Sequence, residues 1–360
     1  MKTCQHGFII PLTLMLVAVA MIIITAMYQR GTLFVPFSTT MYQREQAKYL
    51  ALSGVQIAMS QLAQGDFFVQ PKTDNQKIEN KKNQTLPMKE SLSKVFSTIF
   101  PKLGVRQTFR LKKIIDGIDG EIGITLSNEE GKINLNMIYD FVQKKFVGEG
   151  QSIGDWKKIM QMILQRIQKK IGSSSNLFEG FEKFMKQRQY KINDATELLA
   201  IDAFRPFATA QFYDSSFTEK ERPLYLLDLF TVYGYGKLQP WFLSDSIRGV
   251  LGMKRVPITL ASAKKIGITP EFMKKFKESI TLQKDWDLFF QPLYGIDLQR
   301  LPKEVEGMLG QTFDPRFFSV NAYGKIGKTM VRLYVILERV KRFAKQKIWY
   351  DIKIKKFYWL

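Results

Sequence analysis

From Phe8 to Met27 the chain reads apolar without a charge, its only hydroxyl side chains being Thr13 and Thr25. Twenty helical residues at about 1.5 Å each reach across the hydrocarbon of a bilayer, so the run predicts a transmembrane helix. Its downstream flank, Thr25-Ala26-Met27-Tyr28-Gln29-Arg30, lacks the small residues of a secretory cleavage site. The break in pattern lies upstream, at Gly7–Phe8. Pro11 falls in the first helical turn, where its missing N–H costs little. Gly31 and Pro36 predict a loosening or kink, followed by a second helical segment from about Ser38 to Gln64. There Leu50, Ala51, Gly54, Val55, Ala58 and Leu62 share one helical face. Gly54 costs about 1 kcal/mol of helix propensity relative to Ala, and a close packing contact is the reasonable motive.

Beyond Gln64 the period changes. Residues 66–94 are rich in Lys, Asn, Gln and Pro without periodicity and predict a solvated linker. Val105–Leu111 and Glu121–Leu126 alternate apolar and polar side chains and predict two strands joined through Asp116–Gly120. The stretch Ser127-Asn-Glu-Glu-Gly-Lys-Ile-Asn-Leu-Asn136 predicts a turn, with Gly and Asn at positive φ and Asn side chains capping a helix that follows. Helices are expected to dominate from about Met137 to Phe207. Ser152–Asp155 predicts a capping box, and Ile153, Trp156, Ile159, Met160, Ile163, Ile167 and Ile171 a buried stripe. Phe178, Phe181 and Phe184 begin a second helix, and Asp194–Glu197 caps a third. Leu224–Tyr233 predicts a strand re-entering the sheet. It ends in Gly234-Tyr-Gly-Lys-Leu238, a degenerate echo of Gly131-Lys132-Ile133. Phe317–Tyr323 and Thr329–Leu337 predict a hairpin around Gly324–Lys328, and Trp349–Leu360 an edge strand protected by Lys353, Lys355 and Lys356. Gly327-Lys328-Thr329 is no phosphate-binding loop, because the first Gly it needs falls at Ala322 and period two follows where a helix is required.

Composition narrows the chemistry. The 360 residues are 45% hydrophobic and 13% aromatic, enough for a folded chain of two or three domains. The one Cys, Cys4, and the one His, His6, both precede Phe8. The rest of the chain therefore has no thiol nucleophile, no disulfide and no imidazole, which excludes Ser-His, Cys-His and His-metal chemistry. No cofactor is expected. A Ca²⁺ site from Asp116, Asp119, Glu121, Glu129 and Glu130 is the metal option left open, at a spacing that fits no EF-hand loop. The net charge is +21, mostly Lys and spread along the chain. It is dense only in Arg339–Lys356, where eight Lys or Arg stand against Asp351. That spread argues against a nucleic-acid interface. The helix-hairpin-helix-like turn Ile266–Glu271, flanked by Lys264, Lys265, Lys274 and Lys275, is the element that would hold DNA phosphates.

Three motifs carry a family resemblance. The Gly7–Phe8 junction, a short polar leader ahead of an apolar helix, resembles a prepilin-type leader. This implies cleavage after Gly7 by a prepilin peptidase and N-methylation of Phe8. Pilins usually carry Glu at the fifth mature position; Leu12 stands there, which suits a subunit with nothing above it. Ala47-x-x-Leu50-Ala51-x-x-Gly54-Val55-x-x-Ala58 resembles the shaft helix of minor pseudopilins and PilX-like minor pilins. Gly131-Lys132-Ile133-Asn134-Leu135-Asn136, with the acids before it, resembles the signature of type II secretion system protein K, the largest minor pseudopilin. In that family the signature marks the exit from a pilin-like strand into an inserted helical domain.

The reading is an α+β fold, a pilin-like N-terminal membrane helix packed on an antiparallel sheet, with two inserted α-helical domains. The sheet is expected to draw on Val105–Leu126, Leu224–Tyr233 and the C-terminal strands. The expected divisions are a leader at 1–7, the transmembrane and shaft helix at 8–64, and a pilin-like region at 65–130 continued by 223–236 and 312–360. The inserted domains are expected at 131–222 and 237–311. The resemblance implies a minor pseudopilin at the tip of a type II secretion pseudopilus, without catalysis. It would be held in the inner membrane with its body in the periplasm, and would assemble with minor pseudopilins of the I and J types. Three alternatives stay open: an ordinary signal anchor, a type IV pilus or DNA-uptake tip protein using Ile266–Glu271, and an anchored hydrolase using the Asp116–Glu130 carboxylates.

Overall fold

The computed structural model describes residues 9–63, 102–214, 223–253 apart from 235, 315–344 and 347–360, together with 275, 290, 291, 294–296, 301 and 303–310. The Gly7–Phe8 junction, the 66–94 stretch and Ile266–Glu271 lie outside these residues.

Helix α1 runs unbroken from Ile9 to Ala63, one element where two were expected. Pro36 removes one backbone donor from its interior, and the hydroxyls of Thr39 and Thr40 bond the carbonyls of Val35 and Pro36 nearby. Ending the helix at Pro36 would leave several backbone groups without intrahelical partners, a larger cost than one missing bond. The last part of α1 lies on the sheet, burying Ala47, Leu50, Ala51, Gly54, Val55, Ala58 and Leu62. A Cβ on Gly54 would stand 3.0 Å from Ile124 Cγ2 and 3.3 Å from Ala322 Cβ. One on Gly324 would stand 2.0 Å from the Ala47 carbonyl oxygen. Helix backbone rests on strand backbone here, which small residues on both sides permit.

In chain order the strands are β1 (Arg106–Leu111), β2 (Gly120–Asn128), β3 (Ile133–Asn134), β4 (Tyr139–Asp140), β5 (Lys145–Phe146), β6 (Phe230–Thr231), β7 (Phe317–Ile326), β8 (Thr329–Ala344) and β9 (Lys347–Trp359). The main sheet has the order β1-β2-β7-β8-β9 with every neighbour antiparallel. The fold class is therefore the expected α+β arrangement of helix on antiparallel sheet. The β7–β8 hairpin is tighter than its sequence suggested: Ile326 pairs with Thr329, and Gly327 takes φ 55° in a two-residue turn. Gly324 instead lies inside β7, under α1. Strand β9 is an edge, as its lysines indicated.

Residues 129–316 all stand between the neighbouring strands β2 and β7. Two expectations fail in this stretch. Leu224–Tyr233 does not join the main sheet; it forms a short helix, Leu226–Leu229, and then β6, which pairs in parallel with β3 alone. Helices also begin later than Met137, the β4–β5 pair coming first and the first long helix spanning Trp156–Ile171. Its N-cap is Asp155, accepting from the N–H groups of Lys157 and Lys158, and not Ser152. Ile153 consequently falls outside the helix and is exposed. The rest of the stripe is buried except Ile171, which is partly covered. The Asp194–Glu197 capping box is present, on a 3₁₀ turn, Ala195–Ala200. Rings of Tyr139, Phe146, Phe181, Phe204 and Phe230 follow one another at centroid distances of 5.2 to 6.5 Å and tie these elements into one core.

Candidate functional site

Two features stand apart, the bare part of α1 and the junction at the end of β2. From Pro11 to Tyr42 every described side chain of α1 is exposed, and Arg30 is the one charge among them. By length and composition the helix is apolar enough to cross a membrane. Its C-terminus is tied down from the other end of the chain. Arg339, 4% exposed, donates from Nε to the Leu62 carbonyl at 3.1 Å and stacks over the Tyr350 ring. A cation at a helix C-terminus also meets the negative end of its dipole, so part of the basic C-terminal tail has a structural use.

The junction grows from the signature. Asn128 ends β2 and caps the 3₁₀ turn Glu129–Gly131 by accepting from the Glu130 N–H. Gly131 is needed for proximity and not for positive φ, since a Cβ there would lie 1.7 Å from the Phe242 carbonyl oxygen. The next residue sends its ammonium inward. Lys132 Nζ donates to Glu129, to Ser319 Oγ at 3.2 Å and to the Tyr334 hydroxyl at 3.1 Å. Glu129 also accepts from Thr231 Oγ1 at 2.6 Å. Burial works against the Lys132 charge, but the Glu129 carboxylate beside it more than offsets this and holds the ammonium above its ordinary value. Burial likewise pushes the Tyr334 hydroxyl up, with the Glu129 charge adding to it. An ammonium with all three protons committed and no route to solvent is neither a base nor a nucleophile. It is a lock between β2, β6, β7 and β8.

The asparagines fasten the insertion and do not cap a helix, because none follows directly. Asn134 accepts from the Asn136 N–H at 3.0 Å and donates to the Gly234 carbonyl at 2.9 Å. Asn136 bonds both the N–H and the carbonyl of Ile192, each at 2.8 Å, imitating a strand partner. Ile133 and Leu135 are fully buried. The echo motif and the residues after it lie against the first: Gly234 packs on Glu130, the Gln239 N–H bonds the Glu130 carbonyl and the Ser244 N–H the Gly131 carbonyl. Both motifs are closed by a parallel contact. Strand β3 pairs with β6 in parallel, and Leu238 forms a parallel bridge with Leu309.

The five acids weighed for Ca²⁺ do not converge. Asp116 and Asp119 accept from the N–H groups of Lys112 and Lys113, Glu121 from the Tyr323 hydroxyl, and Glu130 from the Arg316 N–H. Among the described residues no three His, Cys, Asp or Glu are grouped to hold a metal ion. Sequence reasoning missed Thr231, Ser319 and Tyr334, which sit in ordinary strand patterns; nothing local marks them as partners of Lys132 or Glu129.

No family model matches the chain, and no curated protein matches it. Among solved structures the chain is similar to a chain in the crystal structure of the GspK-GspI-GspJ complex from the enterotoxigenic Escherichia coli type 2 secretion system, at 11% identity and a TM-score of 0.39, covering 92% of this chain and 99% of that one.

Proposed function

We propose that this chain is a minor pseudopilin of the protein K type, working at the tip of a type II secretion pseudopilus. The observation that carries the reading is α1, whose charge-poor first part is bare while its last part is pressed onto an antiparallel sheet. A bare apolar helix on a folded body needs lipid or sister helices around it. The described part of the 129–316 stretch supports the tip position, since it adds bulk between two adjacent strands of the sheet. The Gly131–Asn136 signature lies at its start. In this reading prepilin peptidase cuts after Gly7 and Phe8 is N-methylated. Leu12, in place of the usual acid, leaves the subunit without a pairing group for one above it. The partners are minor pseudopilins of the I and J types, the body is periplasmic and the helix resides in the inner membrane until assembly. The protein acts by binding, without catalysis or a cofactor.

N-terminal sequencing of the chain purified from membranes tests this. The expected product begins with methylated Phe8 and co-purifies with two other pilin-like subunits. A product beginning at Met1 or after Met27 overturns it.

A further inference from the structure

The end of the sheet from which the bare part of α1 departs carries an apolar surface of its own. The β7–β8 turn marks this end, because Thr329 Oγ1 bonds Gln43 Oε1 at 3.3 Å, where α1 leaves the sheet. The β1–β2 connection reaches the same end, since Gly120 at the start of β2 lies against Leu50 and Ile326. On that connection the helical turn Lys113–Asp116 projects Ile114 at 99% exposure and Ile115 at 79%. Asp116 and Asp119 hold the turn through the N–H groups of Lys112 and Lys113, so the isoleucines point outward from a built loop. Strand β9 stops short of this end, since Trp359 pairs with Leu333, four residues along β8 from Thr329. Exposed Arg110, Lys112, Lys113, Lys325 and Lys328 outnumber Asp116, Asp119 and Glu121 around them.

The direction of α1 says what this end faces. From Ile9 to Tyr42 the helix measures about 51 Å, longer than the ~30 Å hydrocarbon of a bilayer. A tilt of about 35° fits it within roughly 42 Å of hydrocarbon plus headgroups, inside the range that spans adopt. Arg30 is long enough to snorkel toward the headgroups. Tyr42 then stands at the membrane surface, and the sheet end beside Gln43 meets it.

We infer that this end of the sheet docks on an anionic bilayer while the subunit waits in the membrane. Ile114 and Ile115 enter among the headgroups, and Lys112, Lys113 and Lys328 meet lipid phosphates. The inference rests on the reading that α1 spans the membrane. The test uses the full chain carrying Cys4→Ser, reconstituted in vesicles of phosphatidylethanolamine and phosphatidylglycerol. An environment-sensitive fluorophore is placed in turn at Ile115→Cys, at Val142→Cys on the exposed β4–β5 connection, and at Val19→Cys within the span, with quenchers carried on lipid headgroups and chains. The label at 115 is expected to shift to the blue and be quenched, and the label at 142 is not. Lys112→Gln and Lys113→Gln lower the docked-to-undocked ratio about fivefold per lysine. A label at 115 as unquenched as that at 142, with 19 still quenched, overturns the docking and leaves the span standing. Loss of quenching at 19 removes the span itself. A blue shift at 115 that appears only with rising protein density identifies a second copy as the cover, and also overturns the inference.

Discussion

Replacing Lys132 by Met removes the counter-ion of a carboxylate that has no access to water. The side chains of Lys132 and Glu129 are 1% and 2% exposed. After the change Glu129 keeps only the Thr231 and Tyr334 hydroxyls. Breaking a buried pair from one side costs about 3–5 kcal/mol. Lys132→Met should therefore lower stability by about 3–5 kcal/mol at pH 7. In the wild type the ammonium is held above its ordinary value, so its contribution is complete below about pH 10 and is lost only as pH rises through the folded value. Urea unfolding of the full chain in detergent at pH 7, followed by Trp fluorescence, reads the loss. The pair Glu129→Gln with Lys132→Met should return to within about 1 kcal/mol of wild type, as apolar and neutral replacements of buried pairs do. A single-variant cost below about 1 kcal/mol would refute the lock.

Gly131→Ala should cost about 3 kcal/mol or more in the same unfolding assay, because its methyl meets the Phe242 carbonyl and neither backbone gives way cheaply. Asn136→Ala should cost about 1–2 kcal/mol, and hydrogen exchange should show the Ile192 amide losing protection, as its acceptor is that side chain. Burial alone would push Asp194 up, but the bonds donated by Lys356, Tyr358 and Thr196 outweigh it and hold the carboxyl below its ordinary value. Its contribution is thus present above about pH 4 and lost as pH falls through the folded value. Acid should loosen the Asp194 contact with β9, seen as faster exchange around Tyr358, and Lys356→Met should weaken that acid dependence.

Much of the local architecture was legible in the sequence. The apolar run, the face Leu50 to Leu62, the strand pairs and the Asp194–Glu197 cap each depend on the chain's own period and on neighbours within a turn, which the sequence displays directly. Even the Gly54 contact followed from a helix tolerating a costly residue. Where the tertiary structure decided, the cause lay far along the chain. Asp155 displaced Ser152 as the cap because the β4–β5 pair postpones the helix. Leu224–Tyr233 reads as a sheet strand, yet β2 takes β7 as its neighbour and leaves Phe230–Thr231 with β3 alone. Gly131 reads as a turn glycine, but the reason for it is a carbonyl at Phe242, brought in by a separate segment. A period is written in consecutive side chains; a contact between residues 131 and 242, or 132 and 334, exists only once the intervening chain has closed, and no local pattern encodes which segment arrives.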